Sequence, residues 1–414
     1  MIKLNDKSKR ARNLGKQTNM SNKLWPKRIY SLDVTRGFAA LAVVVWHWQH
    51  FSKIRDTFPQ NFDRASQPFY PVLKIFYEKG FMGVEYFFIL SGFIFFWLYR
   101  DSIKNKTTSF SFFWMQRISR LYPLHIATLI IVALLQAVFT AKNGSSFIYP
   151  FNDIHHFFLQ LGFASRWGLE KGWSFNAPIW SVSIEILLYF VFFFVALFTR
   201  GKALSCLAVS VISFIILQFI NHPFFMGLSL FFLGGFIFYI SFNITIKSPR
   251  WKSVVYFIAT LAWLLIIANF YFIDLSQFIL KIGFIGEIFL HSFSSYILFP
   301  FTVCAMVLLE IDKGSFLKTI SWIGDITYSS YLLHFPLQLL FALAVSYGML
   351  TQDFYLNPIY IIIFYSILIP LSYITFIGFE RPVQSMIRRN YFLHKKSKQN
   401  RALDSSSSSL DYSH

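Results

Sequence analysis

Apolar runs long enough to cross a bilayer recur along this chain, separated by short polar connections, and that pattern sets the fold class. Ten spans are read: Tyr30–His50, Phe81–Tyr99, Ile118–Thr140, Ile179–Phe198, Ala203–Ile220, Phe224–Phe242, Val254–Ile273, Leu290–Leu309, Thr327–Val345 and Pro358–Phe379. The turn Asn221-His222-Pro223 makes a hairpin of the fifth and sixth. The expected fold is all-α, a polytopic membrane helix bundle of about ten transmembrane helices. The Ser276–Phe301 region leaves that count open by one.

Charge gives the pattern a direction. Lys3, Lys7, Lys9, Arg10, Arg12, Lys16, Lys23, Lys27 and Arg28 precede the first span. Arg381, Arg388, Arg389, Lys395, Lys396, Lys398 and Arg401 follow the last. An even number of spans puts both basic ends on one side, and the positive-inside rule makes that side cytoplasmic. Short loops with Arg100, Lys104 and Lys106, with Arg200 and Lys202, and with Lys247, Arg250 and Lys252 agree. Three regions follow: a basic cytoplasmic tail over 1–28, a membrane domain over 29–385, and a basic then Ser-rich tail over 386–414 read as disordered. The first helix reads as retained, since no cleavage site follows a short apolar core. Two outer segments, Phe51–Gly80 and Ala141–Pro178, are long and rich in aromatic and polar residues, as segments holding an extracytoplasmic substrate would be.

Composition narrows the class. Of 414 residues, 55% are hydrophobic and only 14% charged, below the quarter or so usual in soluble domains. The net charge of +19 lies mainly in the two flanks, so it reads as a topology and anionic-lipid signal. No soluble basic domain accompanies it, which argues against nucleic acid as a partner. Cys206 and Cys304 fall inside apolar runs and read as small hydrophobes.

Polar groups inside the spans are the candidates for chemistry, because they are costly there. Arg36 and His47 share the first span, about 16 Å apart along a helix axis, roughly half the bilayer's apolar thickness. With the orientation above, His47, Glu85 and Glu185 lie toward the outer end. A neutral imidazole oriented by a carboxylate is a general base near neutral pH, and either Glu85 or Glu185 would serve. Trp180, Ser181 and Ser91 are the oxyanion or substrate contacts. Arg117 and Arg120 share one face where the third span begins, and Arg36 and His334 complete an inner, donor-side group. Clustered guanidinium groups suit a phosphate-bearing cofactor. No His and carboxylate pair has metal-ligand spacing, so no metal is expected. His155-His156 reads as an interface or acceptor contact.

Several blocks resemble the acyltransferase-3 family of integral membrane acyltransferases. They are Arg36-Gly37-Phe38-Ala39-Ala40 through His47, and Gly83-Val84-Glu85-Tyr86-Phe87-Phe88-Ile89-Leu90-Ser91-Gly92-Phe93. Arg117-Ile118-Ser119-Arg120-Leu121-Tyr122-Pro123, and Trp180-Ser181-Val182-Ser183-Ile184-Glu185 with Tyr189, follow in order. Tyr328-Ser329-Ser330-Tyr331-Leu332-Leu333-His334 and Glu380-Arg381-Pro382 close the series. Glu85 departs from the Asp that many members carry. The resemblance implies a bacterial inner-membrane enzyme. It would move an acyl group, often acetyl, from cytoplasmic acyl-CoA to a hydroxyl of a surface polysaccharide such as O-antigen, capsule or exopolysaccharide. It implies His47 as the essential base, and Arg36, Arg117 and Arg120 as donor contacts. Macrolides and peptidoglycan stay open as acceptors, and so does an acyl-histidine intermediate. The alternative class is a secondary transporter or exporter of a lipid-linked or acylated sugar, but no internally related halves are visible.

Overall fold

The structure, a computed structural model, describes residues 25–199 and 202–408, with residues 395–408 as backbone alone. Among the described residues every element is helical apart from one isolated bridge, Ile54 to Thr57. In chain order the main helices are α1 (Tyr30–Trp48), α2 (Gly83–Lys104), α3 (Phe110–Asn143), α4 (Ile154–Leu161), α5 (Trp180–Phe198), α6 (Ala203–Phe219), α7 (Pro223–Lys247) and α8 (Lys252–Tyr271). Then come α9 (Phe284–Phe293), α10 (Phe299–Lys313), α11 (Thr327–Ser346), α12 (Pro358–Thr375) and α13 (Arg381–Ser408).

Among the described residues, eight helical stretches are long and apolar enough to span a membrane. The two expected spans outside that set are α1 and α6. The first is diluted by Ser31, Asp33, Thr35, Arg36 and His47, and the second is 17 residues long. The eighth expected span is a longer stretch, Phe284–Lys313, in which the π-helical turn Ser294–Leu298 joins α9 to α10. A second π turn, Phe376–Glu380, joins α12 to α13.

Both ends depart from the expected tails. Residues 1–24 lie outside the described residues, but Trp25 already packs on Phe93 and Phe238, and Arg28 pairs with Asp33 and Asp325. At the other end the chain from 386 onward opens as helix α13, with Arg388 donating to Ser119 and to the Gln116 carbonyl. A basic side chain with hydrogen-bond partners on a neighbouring helix is held there, not solvated as a tail.

The chain divides into two compact units, one from residues 25–46, 74–98 and 202–327, the other from 47–73, 99–199 and 328–408. In the first unit the N-terminal turn of α1 is held by α10. The Ser31 amide donates to the buried Glu310 carboxylate at 3.0 Å, and the Ser31 hydroxyl donates to the Met306 carbonyl. A carboxylate at a helix N-terminus satisfies an orphan N–H and complements the helix dipole. Helices α2 and α7 touch backbone to backbone. A Cβ on Gly92 would lie 1.7 Å from the Phe231 carbonyl oxygen, and one on Gly234 would lie 2.0 Å from that of Ile89. Small residues allow this approach where lipid offers no hydrophobic driving force between helices.

In the second unit, α3, α5, α11 and α12 carry the core. Leu129, Val132, Phe147, Phe175, Phe335 and Leu339 form one buried cluster. Prolines interrupt α3, α11 and α12 at Pro123, Pro336 and Pro370, each freeing the carbonyl four residues earlier. Pro336 frees Leu332, and the Asn176 side-chain amide donates to that carbonyl at 3.0 Å.

The α2–α7 contact generates a prediction. Gly92→Ala forces two backbones apart, so it abolishes the monodisperse peak in fluorescence-detected size-exclusion chromatography. Gly378→Ala, whose Cβ meets nothing within 4 Å, leaves the peak unchanged. A normal elution profile for Gly92→Ala would refute the backbone contact.

Candidate functional site

Helix α11 organises the second unit because one of its faces is polar. Tyr328, Tyr331, His334 and Gln338 follow at spacings of three, three and four, within an arc of roughly 120° at 3.6 residues per turn. Each meets a different segment. The Tyr328 hydroxyl donates to the Leu121 carbonyl of α3 at 2.6 Å. The Tyr331 hydroxyl donates to the Pro178 carbonyl at 2.8 Å and, since its proton is committed there, accepts from Ser181 at 2.9 Å. His334 stacks on His47, with ring centroids 4.7 Å apart. Gln338 donates to the His47 carbonyl at 2.7 Å.

His47 is the middle of three imidazoles. His50 lies at the same centroid separation from His47, 4.7 Å. The two are three residues apart, so they share a face where the last turn of α1 passes into the 3₁₀ turn Gln49–Ser52. Nδ1 of His50 is 3.2 Å from the Gln338 amide oxygen, and its Nε2 is 3.4 Å from the Tyr149 hydroxyl. All three rings are buried, and neither nitrogen of the fully buried His334 has a hydrogen-bond partner; the carbonyls of Tyr331 and Ser330 lie alongside one turn earlier. An unpartnered buried polar group costs about 1–3 kcal/mol.

The other end of the polar face is cationic. Arg117 donates to the Tyr99 hydroxyl while its guanidinium lies over the Tyr99 ring, and that hydroxyl donates on to Gln116 at 2.8 Å. Arg120 shares its surroundings with Glu380, Tyr328 and Tyr189. Arg388 joins them, in electrostatic contact with both Arg117 and Arg120. Glu380 accepts from the Ser329 hydroxyl, which the π turn before α13 brings within reach. Glu185 lies here as well, against Tyr189 and within the field of Tyr328 and Tyr331. Tyr328 and Gln338 are about 15 Å apart along α11 at 1.5 Å per residue, which is the length of the polar face.

This arrangement regroups the expected residues. His334 does not sit with the arginines; its ring faces His47, because it is two turns further along the face than Tyr328. Glu185 keeps company with the arginine end. Glu85 and Ser91 belong to the first unit, where Glu85 accepts from Ser295 on the π turn before α10 and Ser91 is half-buried on α2. Arg36 also belongs there, donating to the Gly324 carbonyl at 2.7 Å and paired with Asp33 at 3.1 Å. The Ser181 hydroxyl is engaged by Tyr331, and Trp180 is half-buried with its ring 6.2 Å from Trp173.

His156 is a structural residue. Its Nε2 accepts from the Lys171 amide at 3.1 Å, so Nδ1 carries the proton and donates to Asp153 at 2.8 Å. The His156 backbone N–H also donates to Asp153, and these bonds hold that carboxyl below its ordinary range. Sequence reasoning missed His50, Gln338, Tyr149 and Arg388. The first two carried signals: the His47-x-x-His50 spacing, and a polar residue recurring on the His334 face.

Among the described residues, eight helical stretches long and apolar enough to cross a membrane define a multi-pass membrane protein, and its buried polar row brings three imidazoles together. The family model described as an acyltransferase domain, that of the acyltransferase-3 family, matches residues 29–377, and the chain belongs to that family. It is 32% identical over 173 residues to "Acyltransferase MdmB" of Streptomyces mycarofaciens, covering 40% of this chain and 38% of that protein. It is 31% identical over 130 residues to "Protein 2 in picA locus" of Rhizobium radiobacter, covering 31% of this chain and 56% of that protein. The aligned stretch therefore spans less than two thirds of each relative's length. No solved structure matches the chain.

The Pro336 gap generates a double-mutant test. Asn176→Ala leaves the Leu332 carbonyl buried without a donor, lowering the melting temperature in detergent. Pro336→Ala restores an N–H, so the loss from Asn176→Ala shrinks in that background. Strictly additive losses would show that Asn176 serves something else.

Proposed function

We propose that this protein transfers an acyl group, acetyl in the simplest case, from acyl-CoA to a hydroxyl of an acceptor on the far side of the bacterial inner membrane. The observation that carries the reading is the polar face of α11, which runs from three arginines to three imidazoles inside one unit. On this reading α1 and α6 complete ten spans, and the arginine end faces the cytoplasm, as the basic flanks favour.

The chemistry follows the two ends. Guanidinium groups of Arg117, Arg120 and Arg388 bind the anionic nucleotide of CoA, and the thin pantetheine arm follows the tyrosine face toward His334. The unpartnered nitrogens of His334 are a contact for that arm's polar end. His47 takes the proton of the acceptor hydroxyl, whose oxygen attacks the thioester carbonyl as the carbon–sulfur bond breaks. Arg36 acts within the first unit, by holding the first turns of α1 to Gly324. A surface polysaccharide is the acceptor class, because a sugar hydroxyl presented to the outer segments reaches the imidazole end first.

The decisive experiment uses purified protein in proteoliposomes with radiolabelled acetyl-CoA and a panel of surface glycans. Label transfers to one glycan class, and His47→Ala abolishes transfer while the protein remains inserted and abundant. Full activity in that variant removes the proposed base.

A second measurement probes the donor end. Arg117→Ala with Arg120→Ala weakens acetyl-CoA protection in a thermal-shift assay roughly tenfold or more, as charge-assisted contacts of about 1.5–3 kcal/mol imply. Unchanged protection would return the pair to membrane anchoring.

A further inference from the structure

The segment after α3 turns back along that helix instead of leaving it. Phe147 is bonded twice to the Gln136 side chain, its N–H donating at 3.0 Å and its carbonyl accepting at 2.9 Å. Further on, Nε2 of His125 donates to the Gln160 carbonyl at 2.7 Å. The Phe163 ring stacks on that of His125 with centroids 4.5 Å apart, and lies 5.6 Å from that of Tyr122. Gln136 and His125 are eleven residues apart on α3, so the returning chain descends about 16 Å along it. All three α3 residues belong to a helix long and apolar enough to cross a membrane. Helix α4, about 12 Å long, therefore runs beside a membrane-crossing stretch.

Its side chains are arranged for lipid. His156 and Gln160, one turn apart, are each 1% exposed, while Ile154 and Phe158 on another face are 71% and 62% exposed. A helix on the surface of a soluble protein has the reverse pattern. The buried polar groups are bonded within the segment, Gln160 to the Ser174 carbonyl at 2.8 Å, and His156 to Asp153 and the Lys171 amide. The tip is closed as well. The amides of Gly162, Phe163 and Ala164 return to the carbonyls of Phe158, Gln160 and Leu159. Hydrocarbon tolerates a non-helical turn only when such groups are satisfied internally. Arg166, past the tip, is paired with Glu170 at 3.2 Å and lies over the Trp173 ring. The exposed polar residues Asp153, His155 and Lys171 gather at the opposite end, where α4 begins.

We propose that α4 and its tip form a re-entrant hairpin that enters the leaflet at the Asn143 end of α3, with Phe158 against lipid acyl chains and Asp153, His155 and Lys171 at headgroup level. Depth is what assigns lipid as the partner. Ile130, Ile131 and Leu134 of α3, between the two contacts with the returning chain, are exposed apolar side chains at the same level. The inference goes beyond acyl transfer and does not depend on it. It also bears on the polar face of α11, because the chain leaving the hairpin is tied there twice. Asn176 donates to the Leu332 carbonyl, and the Pro178 carbonyl accepts from Tyr331.

Two measurements on the full-length protein in proteoliposomes test this. The native Cys206 and Cys304 are buried, so unsubstituted protein serves as the labelling control. With a nitroxide on Phe158→Cys, relaxation by oxygen, which concentrates in hydrocarbon, exceeds relaxation by a water-soluble nickel chelate, as it does for Ile131→Cys on α3. With the nitroxide on His155→Cys the order is reversed. Nickel-dominated relaxation at Phe158→Cys overturns the proposal. So does spin–spin broadening there, which would make a second copy of the chain the partner. The second measurement needs no substitution. A carbene precursor dissolved in the lipid labels the native peptide that holds Phe158, and a water-soluble precursor does not. Labelling of that peptide by the aqueous reagent, or by neither, overturns the hairpin whatever the acyl-transfer assays show.

Discussion

Everything in the second unit depends on where α11 can hide polar groups. In a bilayer an exposed carbonyl or imidazole finds no water, so each must be met by protein or carry its full desolvation cost. Pro336 creates one such group by freeing the Leu332 carbonyl, and Asn176 meets it from the segment just before α5. Tyr328 and Tyr331 solve the complementary problem, since each hydroxyl donates to a backbone carbonyl of a neighbouring segment. The face is therefore tied to α3, to the turn before α5 and to the end of α1 by directional bonds. Packing of phenylalanines alone would leave the rotation of α11 less defined.

Much of this was legible beforehand, and the reasons for the remainder are physical. Span positions follow from apolar periodicity, which is strong over twenty residues. The ends of spans were weaker: the π turn at Ser294–Leu298 lengthens the eighth stretch, and nothing in a hydropathy pattern distinguishes a π turn from an α turn. A basic residue after the last span, such as Arg388, ordinarily reads as topology charge. Only the course of α13 brings it to Gln116 and Ser119. Depth along a helix leaves a different ambiguity. Counting turns from the end of its span puts His334 with the arginines. The ring belongs to the imidazole end, because the side chain's azimuth, not its depth alone, decides what it touches.

The two carboxylates illustrate the same limit. Glu85 and Glu185 are both acidic residues in inward-running spans, and sequence gives them one role. The structure gives them separate partners: Ser295 for Glu85, and Tyr189 with the arginine end for Glu185. Each unit also uses a π turn to bring a Ser–Glu contact together, Ser295 with Glu85 and Ser329 with Glu380. A π turn adds one residue to a helical turn and shifts every later side chain around the axis. That shift is how a helix otherwise built for lipid can aim one serine or one glutamate inward.

Stability alone does not account for His334. An unpartnered imidazole in a dry interior is worse than a leucine of similar size, by about 1–3 kcal/mol, and its neighbours on the face show that this helix can satisfy its polar groups. Tyr328, Tyr331 and Gln338 are all bonded; His334 alone among these four is not. A group held unsatisfied between a satisfied tyrosine and a satisfied glutamine, stacked on the ring of His47, is a buried polar group that packing does not explain. The arginines at the Tyr328 end lie about 9 Å from His334 along α11, toward the other end of the same face. Anchoring requires charge near a helix end, and it is indifferent to whether that charge and an unpartnered imidazole share one face of the protein.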